Sequence, residues 1–415
     1  MKPTVKDITF ILPSYNTLNY LLMAYRSIRQ FYPENEIIIL DDGSTDGSQD
    51  WLNGYRAENG GLVAGQTVHD PFLRVWHNPS GNILGHTCTY DMGIKMAKNQ
   101  LVTIFHSDMI CGKNYLENML KHWKEKTVVC ATRIEPEGIY PPGKEKILKP
   151  FGIEFHEFKA VEFAKFVEEE QIAQKDVTGN GIFAPWLISK EDFLAIGGHD
   201  AKHFAPYPEE DADLFLRFAL AGYTLIQSRD ALCWHWISRG HRSWAKNGVG
   251  KDDDMFKFYQ TRARRNYLRK WHRWMMFDEN HAPIVHPVYR VSFTIRGPLT
   301  VEFLNAIEPW ATLLYVEDWK CAEQYIKIEQ PTTKLNLEER IYDLKGAYAN
   351  NDDIHLEFTQ SDFLSNFQEN MTIIQNLHTI IKESSVEPMS EMQLGIFKLT
   401  THHEVIDYSK EMVKV

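Results

Sequence analysis

Short apolar runs alternate with amphipathic stretches through the first 110 residues. Ile8-Thr9-Phe10-Ile11-Leu12 stops at Pro13 and predicts a buried strand, since a short, mostly apolar run suits a sheet covered on both faces. Leu18, Leu21, Leu22, Tyr25 and Ile28 then recur at helical spacing, with Asn16 or Thr17 available as the cap. Ile37-Ile38-Ile39-Leu40 predicts a second strand, broken by the turn formers Asp41-Asp42-Gly43-Ser44, and a short helix begins near Asp46. Leu73-Arg74-Val75-Trp76 reads as a third strand, residues 86–98 as a helix, and Leu101-Val102-Thr103-Ile104-Phe105 as a fourth strand. This alternation predicts an α/β domain built on a parallel sheet with crossover helices. Such sheets bind ligands beyond the carboxyl ends of their strands, and three of these four run straight into polar residues there.

Residues 130–200 are less regular and include a Pro/Gly-rich loop over 136–143. An amphipathic helix is expected over about 255–274, with Phe256, Tyr259, Ala263, Tyr267, Trp271 and Trp274 on one stripe. Lys257, Arg262, Arg264, Arg265, Arg269, Lys270 and Arg273 fill most of the rest, which reads as a core helix with a solvated basic face. From about residue 281 the pattern changes. Segments 288–295, 312–316 and 355–358 look like strands, separated by helical stretches of which 361–382 is the clearest. The expected organisation is one domain over 1–280 and a smaller C-terminal α+β domain over 281–415 that carries no chemical motif.

Composition narrows the setting. With 43% apolar and 24% charged residues the chain is globular in character. No apolar run approaches the ~20 residues that span a bilayer, and the N-terminus lacks a signal-peptide core, so a cytoplasmic protein is expected. Cys88, Cys111, Cys130, Cys233 and Cys321 are odd in number and scattered, which suits reduced thiols better than a disulfide framework. A formal net charge of −11 argues against whole-surface attraction to nucleic acid or an anionic membrane, while leaving room for a local basic groove.

Two polar segments stand at carboxyl ends of expected strands: Pro13-Ser14-Tyr15-Asn16, and Asp41-Asp42-Gly43-Ser44-Thr45-Asp46. A carboxylate there can accept hydrogen bonds from a nucleobase or ribose, although Asp, Gly and Ser are equally the residues of a capped tight turn. Together they resemble the opening of family 2 glycosyltransferases, whose strands end in Pro-x-Tyr-Asn and Asp-Asp-Gly-Ser-x-Asp. The similarity continues in order through Asn78-Pro79-Ser80-Gly81-Asn82-Ile83-Leu84-Gly85 and Phe105-His106-Ser107-Asp108. It then takes in Gly197-Gly198-His199-Asp200 and Glu209-Glu210-Asp211-Ala212-Asp213-Leu214-Phe215-Leu216-Arg217, and covers about residues 7–275. His106 stands where the family carries the first carboxylate of its metal motif, and His199 where it carries an aromatic.

The resemblance implies a GT-A, Rossmann-like fold and an inverting transfer of one sugar from a nucleotide-sugar donor, of the UDP-sugar type, to an acceptor hydroxyl. It implies a Mn²⁺ or Mg²⁺ cofactor on Asp108 and on His235, with His241 in reserve, and a base at Asp211 beside Glu210. A divalent cation stabilises the departing diphosphate, and one imidazole tilts the choice toward Mn²⁺. Pro13, Ser14, Tyr15, Asp41, Asp42, Asn82, His106 and Ser107 would contact the donor. Gly181, in Gly179-Asn180-Gly181, would let backbone approach the sugar, and a plain loop reads equally well. Each residue also has a structural alternative: His235 as a core histidine between two tryptophans, the acidic cluster as a helix N-terminus, and Asp213 with Arg217 as an i,i+4 pair. The acceptor is open between a glycan and hydroxymethylated DNA bases, the latter as in bacteriophage-type relatives. A nucleotidyltransferase would need a basic residue in a Gly-rich loop after the first strand, and residues 13–18 carry none. A binding or scaffold protein with a decayed site is the alternative from outside the enzymes.

Overall fold

The computed structural model describes residues 3–54, 70–279, 282–346, 353–384 and 386–415, so the boundary expected between 280 and 281 lies outside them. Strands β1 (Ile8–Ser14), β2 (Ile37–Asp41), β3 (Leu73–His77) and β4 (Leu101–Ile104) are parallel, as the strand–helix alternation requires. Successive side chains in a strand point to opposite faces, and the two sides of this sheet divide accordingly. Phe10, Leu12, Ile37 and Ile39 pack with Leu21, Ala24 and Ile28 of the Leu18–Phe31 helix. Ile11, Ile38 and Leu40 pack on the other face with Tyr90 and Ile94 of the Gly85–Met96 helix.

The less regular middle of the sequence completes this sheet. It supplies β5 (Met109–Cys111), β6 (Thr127–Pro136), β7 (Lys146–Lys149), β8 (Thr178–Gly179), β9 (Trp186–Ser189) and β10 (Thr224–His235). The order is β3-β2-β1-β4-β9-β6-β10-β5, with β7 beside β6 and β8 beside β10. β9 runs antiparallel between β4 and β6, and β5 is antiparallel to β10. β10 is parallel to β6, with an irregularity between Ser228 and Leu232 that carries its second half across to β5.

A second, smaller sheet has the order β13-β12-β11-β14-β16-β15, from β11 (Val291–Arg296), β12 (Leu313–Val316), β13 (Ile341–Asp343), β14 (Ile354–Thr359), β15 (Glu391–Leu394) and β16 (Phe397–Thr401). Its first four strands are parallel and only the last two antiparallel. β11 starts at Val291, later than its apolar pattern suggests, because Val288 N–H donates to Asp407 and Tyr289 N–H to His378 instead of entering a ladder. The helix expected over 361–382 is two, Gln360–Ser365 and Phe367–Ser384.

The basic face of the Asp254–Trp271 helix is solvated only in part: the Lys257 and Arg264 side chains are exposed, whereas Arg265, Arg269 and Lys270 turn inward. Arg269 is buried against Glu308 at 2.7 Å and Glu329 at 2.6 Å, and Arg265 meets Glu329 at 2.7 Å. Lys270 turns the other way, to Asp200 at 2.8 Å and Asp213 at 2.6 Å. The helix therefore ties the two sheets together through ion pairs removed from water, which hold Arg265, Arg269 and Lys270 inside the protein. The chain closes the same seam from its other end. Met412 packs beside Ala212 and Leu216, and Arg217 Nη1 donates to the Val413 carbonyl at 3.4 Å.

Candidate functional site

The parallel register leaves Ser14, Asp41 and His77 side by side at the carboxyl edge of β1, β2 and β3. The loops beyond are stitched to one another. Asn16, at φ 52°, donates its N–H to Ser44 Oγ at 2.8 Å and accepts from Thr45 N–H at 2.7 Å. Asp41 and Asp42 are buried, and their carboxylates are occupied by protein donors. Asp41 meets Ser44 N–H at 3.2 Å and His77 Nδ1 at 3.2 Å. Asp42 accepts from Asn78 Nδ2 at 2.7 Å and from Gly85 N–H at 2.8 Å, which fixes the 78–85 loop. Gly85 has φ 77°, and a Cβ there would lie 2.0 Å from the Pro206 carbonyl oxygen, so only glycine fits.

A cavity of about 400 Å³ opens over this edge. Pro13, Tyr15, His106, Ser107, Asp108, Glu210, Asp211 and His235 line it, from four separate stretches of chain. Ser14, Asp41, Asp42, Asn82 and Gly181 do not. Asp41, Asp42 and the Asn82 carbonyl, which accepts from Asn78 Nδ2 at 2.6 Å, build its supporting layer. Gly181 N–H is bound by Gln227 Oε1 at 3.0 Å, and a Cβ on it would lie 2.5 Å from the Glu145 Cα. The glycine there answers to packing within the fold. Ser14, Asp41, Asp42, Asn82 and Gly181, expected on the donor side, thus stand behind the cavity wall in this structure.

Antiparallel pairing of β10 with β5 sets His235 opposite Met109, and Trp236 N–H extends the ladder to the Asp108 carbonyl at 3.0 Å. His235 Nε2 consequently stands 3.6 Å from Asp108 Oδ1, while Arg239 N–H donates to Asp108 Oδ2 at 3.1 Å. His106 joins from the end of β4, and donor atoms of His106, Asp108 and His235 all lie within 4.8 Å of one another. His106 Nε2 is buried with no hydrogen-bond partner among the described residues. An unmet buried nitrogen costs about 1–3 kcal/mol, so its lone pair marks a place built for a ligand. Burial, then His235 and His86, push the His106 imidazole well below its ordinary pKa, which keeps that lone pair free. Two imidazoles and a carboxylate fit a divalent transition metal.

Across the cavity, the Glu210–Leu220 helix begins after Glu209, held at φ 73°. A left-handed non-glycine residue costs about 1–3 kcal/mol and is met at functional turns. Burial and then the Glu210 charge push the Asp211 carboxyl up to about 6, and its Oδ1 has no partner among the described residues. Burial acts on Glu210 too, but His86 outweighs it and holds that carboxyl below its ordinary value. Two adjacent acids driven apart in this way divide into one that keeps its charge and one that can take a proton near neutral pH. Asp213 and Arg217 are fully buried, with Arg217 Nε on Asp213 at 2.7 Å and Nη2 on the Gly198 carbonyl at 2.6 Å, which is the structural pair the spacing suggested.

Sequence reasoning missed three residues here. His86 bridges His241 (Nε2 to Nδ1, 2.8 Å) and Glu210 (3.6 Å). It directly follows Gly85, in the first turn of a helix whose N-terminus faces the cavity, and that position was its only signal. Glu135 contacts His235 at 2.9 Å from the end of β6, and a lone acid closing an apolar strand was the sign of it. Phe183 forms part of the far wall and had no signal in the pattern.

Residues 9–194 match the sequence family described as glycosyl transferase family 2. The glycosyltransferase GlyG of Streptococcus pneumoniae serotype 4 is 32% identical over 120 residues, 29% of this chain and 36% of the relative. An undecaprenyl-phosphate mannosyltransferase of Micrococcus luteus is 25% identical over 130 residues, 31% of this chain and 49% of the relative. The matches therefore span less than half of either protein. Among solved structures, the mannosyltransferase PcManGT from Pyrobaculum calidifontis, in complex with GDP-Man and Mn²⁺, is 16% identical with a TM-score of 0.38, over 63% of this chain and 70% of that one. GalNAc-T7 with UDP, GalNAc and Mn²⁺ is 14% identical with a TM-score of 0.42, over 63% of this chain and 47% of that one. Among the described residues no helix is long and apolar enough to cross a membrane.

Proposed function

We propose that the chain, whose residues 9–194 match glycosyl transferase family 2, transfers a sugar from a nucleotide-sugar donor, a UDP-sugar, to an acceptor hydroxyl with inversion. One observation carries the reading: three metal-type donors and a carboxylate with a pKa of about 6 share a single cavity. Asp108, His235 and His106 are the residues that would hold the cation, Mn²⁺ ahead of Mg²⁺, because imidazole nitrogen suits the softer ion. When bound, the cation supplies positive charge against the oxygens of the departing diphosphate.

The chain's own residues do the rest. Pro13, Tyr15 and Ser107 wall the donor side of the cavity, over the layer that Asp41 and Asp42 hold in place. Asp211 accepts the proton of the attacking hydroxyl, a role its raised affinity for protons suits. Glu210 stays charged beside it under the hold of His86, and repels any second negative charge from Asp211. Phe183, Phe256 and Met275 supply apolar surface on the acceptor side, a surface suited to the face of a sugar ring. Domain assignments follow the same reading: the larger sheet performs the transfer, and the smaller one, fused to it through the Asp254–Trp271 helix, braces it.

Calorimetric titration with UDP tests the metal-linked part. Binding is expected only with Mn²⁺ present, weaker with Mg²⁺, and lost in Asp108→Ala. Metal-independent binding of UDP that survives Asp108→Ala overturns it.

A further inference from the structure

We propose that Glu135 is a positioning residue for the cation site, acting through His235; the inference rests on the cation reading given above. The placement follows from the sheet. β10 is sandwiched between β5 on one side and β6 on the other. Trp234 pairs with Ile110 across one ladder and with Ile134 across the other. The next residue of β10, His235, therefore has Asp108 on its β5 side and Glu135 on its β6 side.

Glu135 is buried, and Oε1 lies 2.9 Å from His235 Nδ1. A carboxylate only accepts, so this contact requires the imidazole proton on Nδ1. In the neutral ring, the form that can ligate a metal, Nε2 then presents its lone pair to the cavity, 3.6 Å from Asp108 Oδ1. A lone pair facing a carboxylate oxygen across such a gap is repulsive unless a cation stands between them. The Glu135 contact thus selects the tautomer that the site can use and fixes the ring plane, as second-layer carboxylates do for metal-bound histidines.

Glu135 has a second task in the same place. The pairing of β6 with β7 puts Arg133 beside Lys146, and both reach Glu135: Arg133 Nε at 3.2 Å and Lys146 Nζ at 3.2 Å. Glu145 also meets each of them, at 3.5 Å, but makes no contact with His235. Glu135 thereby stands between two cations and a histidine whose other nitrogen faces the cation site.

Mn²⁺ binding by the full chain, read from loss of the free-ion signal in electron paramagnetic resonance with no substrate present, tests this. Glu135→Gln keeps the shape but removes the charge and is expected to weaken Mn²⁺ binding about 10–100-fold. Glu145→Gln disturbs the same pair of cations without touching His235, and its affinity is expected to stay within about threefold of wild type. Equal losses in the two variants, or an unchanged affinity in Glu135→Gln, overturn the proposal. Failure of the wild type to bind Mn²⁺ removes the cation site itself, and the proposal with it. Should Glu135→Gln not fold, nitrogen-15 spectra of the metal-free wild type decide. His235, assigned by its absence from a His235→Gln sample, must show the Nδ1–H tautomer, and a dominant Nε2–H form overturns the proposal.

Discussion

Replacing Asp211 by Asn removes the proposed base while changing almost nothing in shape, and the structure gives two effects of opposite sign. A positioned general base contributes about 10²–10⁴-fold to a rate, so kcat/KM for transfer is expected to fall by that factor while donor binding persists. Stability is expected to rise. Asp211 has its carboxyl raised from 3.8 to about 6, so the folded state holds the proton more tightly than the unfolded chain. Its favourable contribution is complete below about pH 4 and is lost as the pH climbs through 6, where folding must keep a desolvated charge. A gap of about two pH units corresponds to ~3 kcal/mol, and the residue's partial exposure to the cavity reduces that to about 1–2 kcal/mol. Thermal melts at pH 7.5 and pH 4.5 separate these effects from general damage. Asp211→Asn is expected to melt higher than wild type at pH 7.5, and the difference is expected to vanish at pH 4.5. A variant that turns over normally, or that melts lower at both pH values, refutes the reasoning. The wild-type rate supplies a further check: kcat/KM without bound cation charge falls tenfold per pH unit below about 6, and a bound cation moves that limb to lower pH because it favours the carboxylate.

Two further outcomes follow from packing. Gly85→Ala puts a methyl group 2.0 Å from the Pro206 carbonyl oxygen and strains a residue at φ 77°. It is expected to cost at least ~1–2 kcal/mol and to weaken UDP binding in calorimetry, because the 78–85 loop can no longer sit on Asp42. Glu308→Ala strands Arg269 and Arg340 without their shared partner, and loss of one member of a buried ion pair costs about 3–5 kcal/mol. Differential scanning calorimetry is expected to show a lowered transition for the whole chain, since Arg269 belongs to the helix that joins both sheets; a small, separate low-temperature transition would mean that the smaller sheet unfolds alone.

The strands and helices of the first 105 residues were legible because hydrophobic period is a local property. Ile37 to Leu40 is an unbroken apolar run and Ile8 to Leu12 is interrupted only by Thr9, and such short runs suit a sheet covered on both faces. The later strands were harder to read for the same reason turned around. β9 and β5 are three or four residues long and owe their existence to partners far away in sequence, so no local period marks them. The basic stripe of the Asp254–Trp271 helix misled because charge alone does not say which side is wet. Arg265, Arg269 and Lys270 are inside because Glu308, Glu329, Asp200 and Asp213 are there to meet them, and those acids come from four separate segments.

The candidate site divides along the same line. His106, Asp108, Asp211 and His235 could be singled out because each stands at a motif position of the family 2 glycosyltransferase resemblance; pattern alone reads equally well as a capped strand end, an acidic helix N-terminus or a core histidine. What the chain order could not supply is neighbourhood. Asp108 and His235 are distant in sequence, and they meet because the second half of β10, past the irregularity between Ser228 and Leu232, keeps β6 on one side and pairs with β5 on the other. That same shift places Glu135 on the far side of His235, so one irregularity in one strand brings the histidine, its carboxylate neighbour in the cavity and its carboxylate support together. Moving β10 by a single residue would turn His235 to the opposite face of the sheet, among the tryptophans on either side of it. The chemistry of the cavity therefore depends on backbone register as much as on the identities of its side chains, and variants at the Ser228–Leu232 irregularity should disturb the cation site without altering any of its ligands.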